Sequence, residues 1–127
     1  ISLALTAAET GHLVFGTLHS NSAPSTINRI IDVFPPEQQG QVTSQLASSL
    51  RCVLTQRLLK TIDKPGRIAA FELMICNTAI KSLIRENKVF QIENTMQMGK
   101  AEGQMLMVNS LKELIAQKRI DPSDAAD

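Results

Sequence analysis

Glu9–Ala23, ETGHLVFGTLHSNSA, carries both histidines of the chain around a nearly continuous apolar run. The run from His12 to Leu18 lacks a 3.6-residue period and contains valine and phenylalanine, the pattern of a short strand covered on both faces in a parallel sheet. We therefore predict a buried strand here, with His12 at its beginning and His19 in the loop that follows it.

Helices are predicted on both sides of this strand. Residues 1–9 are rich in Leu and Ala, and Gly11 follows at a position that favours a left-handed helix cap. Another helix is expected to begin near Ser22 and to end before Pro35-Pro36. Residues 38–54 repeat apolar side chains every three to four positions, which predicts a further helix.

Residues 55–62 are ambiguous, because they could extend the preceding helix or form a strand. We favour a hairpin in which they pair with residues 67–75 across the turn formers Asp63–Gly66. The rest of the chain is expected to be helical over residues 78–87, 89–98 and 105–118, with a frayed tail from Asp121. The whole series is of α/β type.

Composition argues against several classes of partner. The 127 residues carry a net charge of +1 and contain no Trp or Tyr, so nucleic acid is not an expected partner. The densest basic stretch is interpreted as a solvated face and comprises Arg57, Lys60, Lys64 and Arg67. Cys52 and Cys76 lack metal-ligand spacing and are interpreted as buried small apolar groups in a reducing compartment. No apolar run reaches the ~18 residues of a membrane span.

One hairpin is too little sheet to cover the predicted strand on both faces and pair both its edges. We therefore expect residues before Ile1 to supply the remaining strands, so that this chain is the C-terminal piece of a larger domain. Expressed alone, it is expected to self-associate through the uncovered strand.

Three roles for the histidines are considered. A histidine at the end of a strand is commonly a structural hydrogen-bonding residue. Ligands of open α/β sheets bind beyond the carboxyl ends of the strands, so His19 could instead donate to a terminal phosphate and sense its loss. A shared metal ion is disfavoured, because an extended strand would hold residues 12 and 19 roughly 23 Å apart.

The chain by itself completes no nucleotide site. Gly11 and Gly16 have the spacing of a P-loop, but Thr17-Leu18 follows where Lys and Ser or Thr are required. The nucleophile-elbow and zinc-protease motifs are also absent from the sequence.

Several motifs, in order, resemble one family. Ala7–Ala23 is similar to the His box of the type II/type IV secretion ATPase superfamily. Asn28–Pro35 and Ile68–Ile75 resemble segments of its type IV pilus retraction ATPases, the PilT-like class. Ala79–Glu86, AIKSLIRE, resembles the class's C-terminal AIRNLIRE motif, with Lys81 and Ser82 in place of Arg and Asn.

The resemblance implies an α/β fold, namely the C-terminal part of a RecA-like P-loop ATPase that ends in a helical subdomain. It implies residues 1–76 as core and 77–127 as the helical subdomain. It also implies a cytoplasmic hexamer, peripheral to the inner membrane, that binds pilus platform proteins there and uses ATP and Mg²⁺ to retract pili. The P-loop and Walker B segment would precede Ile1, so the chain alone is expected to be inactive.

The site residues follow from the same resemblance. His19 and Thr17 would lie near the γ-phosphate, and His12 at the other end of the His box. The C-terminal motif would comprise Ala79, Ile80, Lys81, Ser82, Leu83, Ile84, Arg85 and Glu86, of which Arg85 and Glu86 are the better candidates for contacts between domains or subunits. Two alternatives stay open: a pilus-assembly or type II secretion ATPase, and a non-enzymatic interaction module with structural histidines.

Overall fold

The computed structural model describes residues 1–126, which form seven α-helices and one antiparallel hairpin. In chain order these elements are α1 (Ser2–Glu9), α2 (Ala23–Asp32), α3 (Pro36–Ser49), β1 (Cys52–Lys60), β2 (Arg67–Ile75), α4 (Thr78–Arg85), α5 (Ile92–Met98), α6 (Met107–Ala116) and α7 (Pro122–Ala125). Single turns of 3₁₀ helix at Val89–Gln91 and Lys100–Glu102 precede and follow α5.

The predicted helix boundaries are largely confirmed, because the residues that set them have the expected local chemistry. Gly11 adopts a positive φ of 97° just after α1. The Ser22 side chain accepts a hydrogen bond from the Ser25 amide, and Ser25 reciprocates in a capping box that begins α2. At the start of α4, the Asn77 side chain accepts from the Ile80 amide at 3.0 Å.

The hairpin is also confirmed, although β1 begins earlier than the sequence suggested. Cys52 pairs with Ile75 and Lys60 with Arg67, so the strand includes Val53 and Leu54, which the helical period had assigned to the preceding helix. That helix ends at Ser49, where the next residue takes an extended conformation. Apolar spacing fits both structures over so few residues, and pairing with β2 decides between them.

The strand predicted over residues 12–18 is wrong for this structure. This segment has no regular secondary structure, and the side chains of Leu13 and Phe15 are 78% and 88% exposed. Among residues 1–126, the sheet consists of β1 and β2 only, so the segment has no strand to pair with. An apolar run predicts burial only where neighbouring strands can cover it.

Two apolar clusters hold the molecule together. The larger one joins α2, α3, α4, α5 and β2, and its fully buried large side chains are Ile27, Met74, Ile80, Ile84, Ile92 and Met96. The smaller one packs the hairpin against α6 and contains Leu59, Ala70, Leu111, Leu114 and Ile120. The larger cluster draws residues from both sides of position 76, and the division into two units there stays a prediction.

The cysteines and the basic stretch differ in how well they were predicted. Cys76 is buried. Its burial, and to a smaller extent the nearby Cys52, raises the pKa of its thiol to about 12. Cys52, in contrast, is exposed, because its strand position faces away from the larger cluster; the expectation of burial was wrong. Lys60, Lys64 and Arg67 are exposed, as expected of a solvated face. Arg57 does not fit that prediction, because it is half-buried and donates to the Asp124 carbonyl oxygen.

The tail from Asp121 was predicted to be frayed, but residues 121–126 form a short capped helix; Asp127 lies outside the described residues. Asp121 caps α7 by accepting from the Ser123 amide at 2.9 Å. The guanidinium of Arg57 in β1 donates to the Asp124 carbonyl oxygen at 2.8 Å and so fastens this last turn to the hairpin. Within residues 1–126, every helix is too short or too polar to cross a lipid bilayer.

Candidate functional site

Residues 19–22, which we call the His19 loop, are fastened to the helix that follows them. The Arg29 guanidinium of α2 donates to the His19 carbonyl oxygen, and the hydroxyls of Ser20 and Thr26 share a hydrogen bond. Thr26 Oγ1 also donates to the Ser22 carbonyl oxygen at 2.9 Å. The loop is therefore held to α2 by three hydrogen bonds.

The three candidate residues of the His box lie in the exposed segment that precedes α2. The side chains of His19 and Thr17 are exposed and make no hydrogen bond within residues 1–126, so their polar atoms are available to a ligand. His12 is different, since its Nδ1 lies 3.3 Å from Thr10 Oγ1 and 3.3 Å from the Ala7 carbonyl oxygen. These contacts place the His12 imidazole against the end of α1.

The AIKSLIRE motif forms α4 and the residue after it. Ile80 and Ile84 are fully buried, as their helical spacing predicts. Arg85 and Glu86 are exposed, while Lys81, Ser82 and Leu83 are half-buried and Ala79 is exposed. The helix ends in a left-handed turn, in which Asn87 has a φ of 59° and the Lys88 amide donates to the Leu83 carbonyl oxygen at 2.8 Å.

The His box and the motif are therefore separate places in the fold. The helix α3 packs against both α2 and α4, and no hydrogen bond within residues 1–126 joins the two candidate sets. The exposed end of α4, which carries Arg85 and Glu86, is the part of the motif that a partner could contact.

Sequence reasoning missed Glu72, a buried carboxylate behind the His19 loop. It is 5% exposed, its Oε2 accepts from the Ala23 amide at 2.6 Å, and its Oε1 accepts from the Met107 amide at 3.2 Å. Along β2, Phe71, Leu73 and Ile75 alternate with Glu72 and Met74, a period that fits a strand but does not show which face is covered. That face carries Ala70, Glu72 and Met74, whereas Phe71 is exposed. A lone acidic residue inside an apolar strand was the available signal.

An open groove of about 320 Å³ borders this carboxylate. Its lining comes from the His19 loop, the start of α6 and the 3₁₀ turn before α5, and includes Ser22, Glu72, Phe90, Glu93 and Met107.

Comparison with known proteins identifies the family. Residues 1–65 match the family described as "Type II/IV secretion system protein", which is half of the chain. The chain belongs to this family. Among its similar relatives is a "Twitching motility protein" of Neisseria gonorrhoeae, 52% identical over 125 residues, which are 98% of this chain and 33% of the relative. Another is the "Type IV pilus retractation ATPase PilT" of Pseudomonas aeruginosa, 50% identical over 127 residues, which are 100% of this chain and 37% of the relative.

A solved structure of the same kind confirms the fold within the type II/IV secretion family. The structure described as "Crystal Structure of the Pilus Retraction Motor PilT and Bound ADP" superposes with a TM-score of 0.87 at 50% identity, covering 98% of this chain and 34% of that one. The α/β fold assignment, as a part of such an ATPase domain, is therefore confirmed. The chain spans about a third of the length of the curated relatives it matches.

Proposed function

We propose that this chain is the C-terminal part of a hexameric ATPase that powers retraction of type IV pili. One observation carries the proposal: identity to the twitching and retraction proteins extends over 98% or more of the chain, well beyond residue 65, where the family match ends. The additional half includes Ala79–Glu86, the segment that resembles the motif of retraction ATPases.

The complete protein would cover the apolar segment 12–18. Three successive residues, Leu13, Val14 and Phe15, have exposed apolar side chains. Neighbouring strands of a RecA-like core would bury this apolar surface. Such strands would come from the two thirds of the relatives' length that this chain does not match. Segment 12–18 would then be a strand in the complete protein only.

The proposed role of His19 is to bind the terminal phosphate of the nucleotide. Its exposed imidazole can donate a hydrogen bond to a phosphate oxygen, and the Thr17 hydroxyl can do the same from the preceding segment. When bound, ATP with Mg²⁺ would supply the phosphoryl group whose transfer to water releases free energy. Because Arg29 and Thr26 hold the His19 loop, a change of partner at His19 would be passed to α2.

The proposed partners follow from the retraction role. The complete protein would act as a cytoplasmic hexamer that is peripheral to the inner membrane and contacts the pilus platform there. Arg85 and Glu86 are proposed to make contacts between domains or subunits, since they are the exposed charges of the α4 motif. Lys81 stands where the AIRNLIRE motif has Arg. It keeps the positive charge, but its ammonium group cannot make the two parallel hydrogen bonds that a guanidinium makes to a carboxylate.

The test is ATP hydrolysis by the complete protein that contains this chain, compared with its His19→Ala variant. Loss of a charge-assisted hydrogen bond predicts a fall in turnover of about tenfold or more. Gln41→Ala, at an exposed position on α3, is the control and should retain full turnover. Unchanged turnover and unchanged pilus retraction in His19→Ala would refute the proposed role.

The rival function is that of a pilus-assembly or type II secretion ATPase. It has support because residues 1–65 match a family described by secretion, and a type IV pilus assembly ATPase of Pseudomonas aeruginosa is 37% identical over 60 residues. A deletion strain distinguishes them. Loss of a retraction motor leaves cells with pili but without twitching, whereas loss of an assembly motor leaves cells without pili. An interaction module without enzymatic activity would show no ATP turnover at all.

A further inference from the structure

The Glu72 carboxylate is a bridge between two helices that are distant in sequence. One oxygen accepts from the Ala23 amide, the first residue of α2, and the other accepts from the Met107 amide, the first residue of α6. The first amides of a helix have no partner within it, and the helix dipole favours a negative charge at that end. A buried carboxylate between two such ends satisfies both donors at once.

The bridge is continuous with the His19 loop on one side. Ala23 directly follows Ser22, the last residue of the loop and the N-cap of α2. On the other side, the start of α6 is fixed to β2, because Met105 and Leu73 exchange backbone hydrogen bonds of 3.0 and 2.8 Å. Phe71 adds a third tie by donating its amide to Ser110 Oγ at 3.1 Å. The Glu72 carboxylate therefore links the end of the His19 loop to the start of α6.

We propose that Glu72 is a positioning residue that fixes the His19 loop relative to α6 and so couples the phosphate site to the C-terminal helices. The catalytic part of this inference rests on the proposed function. The bridge itself does not, because it is defined by hydrogen bonds among residues of this chain.

The first test is amide hydrogen exchange in the complete protein without nucleotide. Glu72→Gln keeps the shape of the side chain, but one acceptor becomes an NH₂ group, so only one helix amide retains its partner. We expect exchange at the Ala23 or Met107 amide, and in residues 20–22, to accelerate by about tenfold or more. Glu93→Gln is the matched control, since Glu93 lies in the same groove, is exposed and accepts no hydrogen bond within residues 1–126. Unchanged exchange in Glu72→Gln would overturn the inference.

A second variant tests the link from the side of α6. Met107→Pro removes the donor amide at the first helical position, where proline is well tolerated, and Leu106 already has the extended conformation that precedes proline, with φ −87° and ψ 146°. Met107→Ala shortens the same side chain but keeps the amide. Faster exchange in the His19 loop with Met107→Pro and not with Met107→Ala is expected. A change confined to α6 would contradict the coupling.

The third measurement is steady-state ATP hydrolysis by the complete protein. Glu72→Gln should lower kcat with little change in KM for ATP, and it should cause no further loss in a His19→Ala background, because both changes act through one loop. Losses that multiply in the double variant would assign Glu72 a structural role only and overturn the inference. A wild-type protein without ATP turnover would refute the proposed function, while the exchange measurements would still decide whether the bridge couples the two helices.

Discussion

The Gln104 side chain makes backbone hydrogen bonds at the edge of β2 that does not pair with β1. Its replacement should lower the free energy of unfolding substantially. The side chain is 4% exposed, its Oε1 accepts from the Ile75 amide at 2.7 Å, and its Nε2 donates to the Ile75 carbonyl oxygen at 2.7 Å. The carbonyl oxygen also accepts from the Asn77 amide, whereas Gln104 is the one partner of the Ile75 amide within residues 1–126. A side-chain amide thus completes the backbone hydrogen bonding where β2 leads into α4.

The magnitude follows from these two contacts. Gln104→Ala leaves one enclosed donor unpaired, which costs about 1–3 kcal/mol, and removes one further hydrogen bond worth about 0.5–1.5 kcal/mol. We expect the free energy of unfolding to fall by about 2–4 kcal/mol. Urea denaturation followed by circular dichroism measures this change, with hydrogen exchange at the Ile75 amide as the local readout. Gln97→Ala, at an exposed position of α5, is the control and should change stability by less than about 0.5 kcal/mol.

A double-mutant cycle isolates the same site. A Cβ added at Gly99 would lie 2.7 Å from Gln104 Cγ, although the φ of −100° at Gly99 suits any residue. Gly99→Ala should therefore destabilise the protein by about 1–3 kcal/mol through overpacking, and most of this cost should vanish in the Gly99→Ala, Gln104→Ala double variant. A Gln104→Ala cost below about 0.5 kcal/mol, or strict additivity in the cycle, would refute this reasoning.

Three further predictions concern the titratable groups Cys52, Cys76 and Asp121. At pH 8, a thiol reagent should label the exposed Cys52 quickly and Cys76 only after unfolding. Because burial raises the pKa of Cys76 to about 12, the native thiol keeps its proton where the unfolded chain loses it; stability should fall as pH rises from about 9 to about 12, and less so in Cys76→Ala. The Ser123 amide and hydroxyl lower the pKa of Asp121, so its contribution to stability is present above its ordinary pKa and is lost as pH falls through the lowered value. Nuclear magnetic resonance titration should show this low midpoint rising toward the ordinary value in Ser123→Ala, and an unchanged midpoint would show that the hydroxyl does not contribute.

The local elements were predictable because short-range chemistry sets them. Ser22 begins α2 through its own side chain, and Gly11 ends the first helical segment through its positive φ. The turn formers at Asp63–Gly66 join two strands of the predicted antiparallel pair. The motifs that indicated the family also lie in continuous stretches, so no tertiary information was needed to find them.

Burial and bridging, in contrast, were decided by the tertiary structure. The run at 12–18 has the composition of a covered strand, yet it is exposed because residues 1–126 provide no strand beside it. The alternation in β2 did not reveal that Glu72 faces inward, since only the start of α2 and the start of α6 make that position favourable for a carboxylate.

Caps, turns and the family motifs could be identified from the sequence, because each of them lies in a short continuous stretch of residues. The end of α3 and the start of β1 could not, since pairing with β2 decides them. The tertiary structure alone placed Glu72 between Ala23 and Met107, and Gln104 against Ile75. These contacts join residues 29 to 49 positions apart, and a buried polar group is stable only where hydrogen-bond partners meet it, which in these two cases lie far away in the sequence.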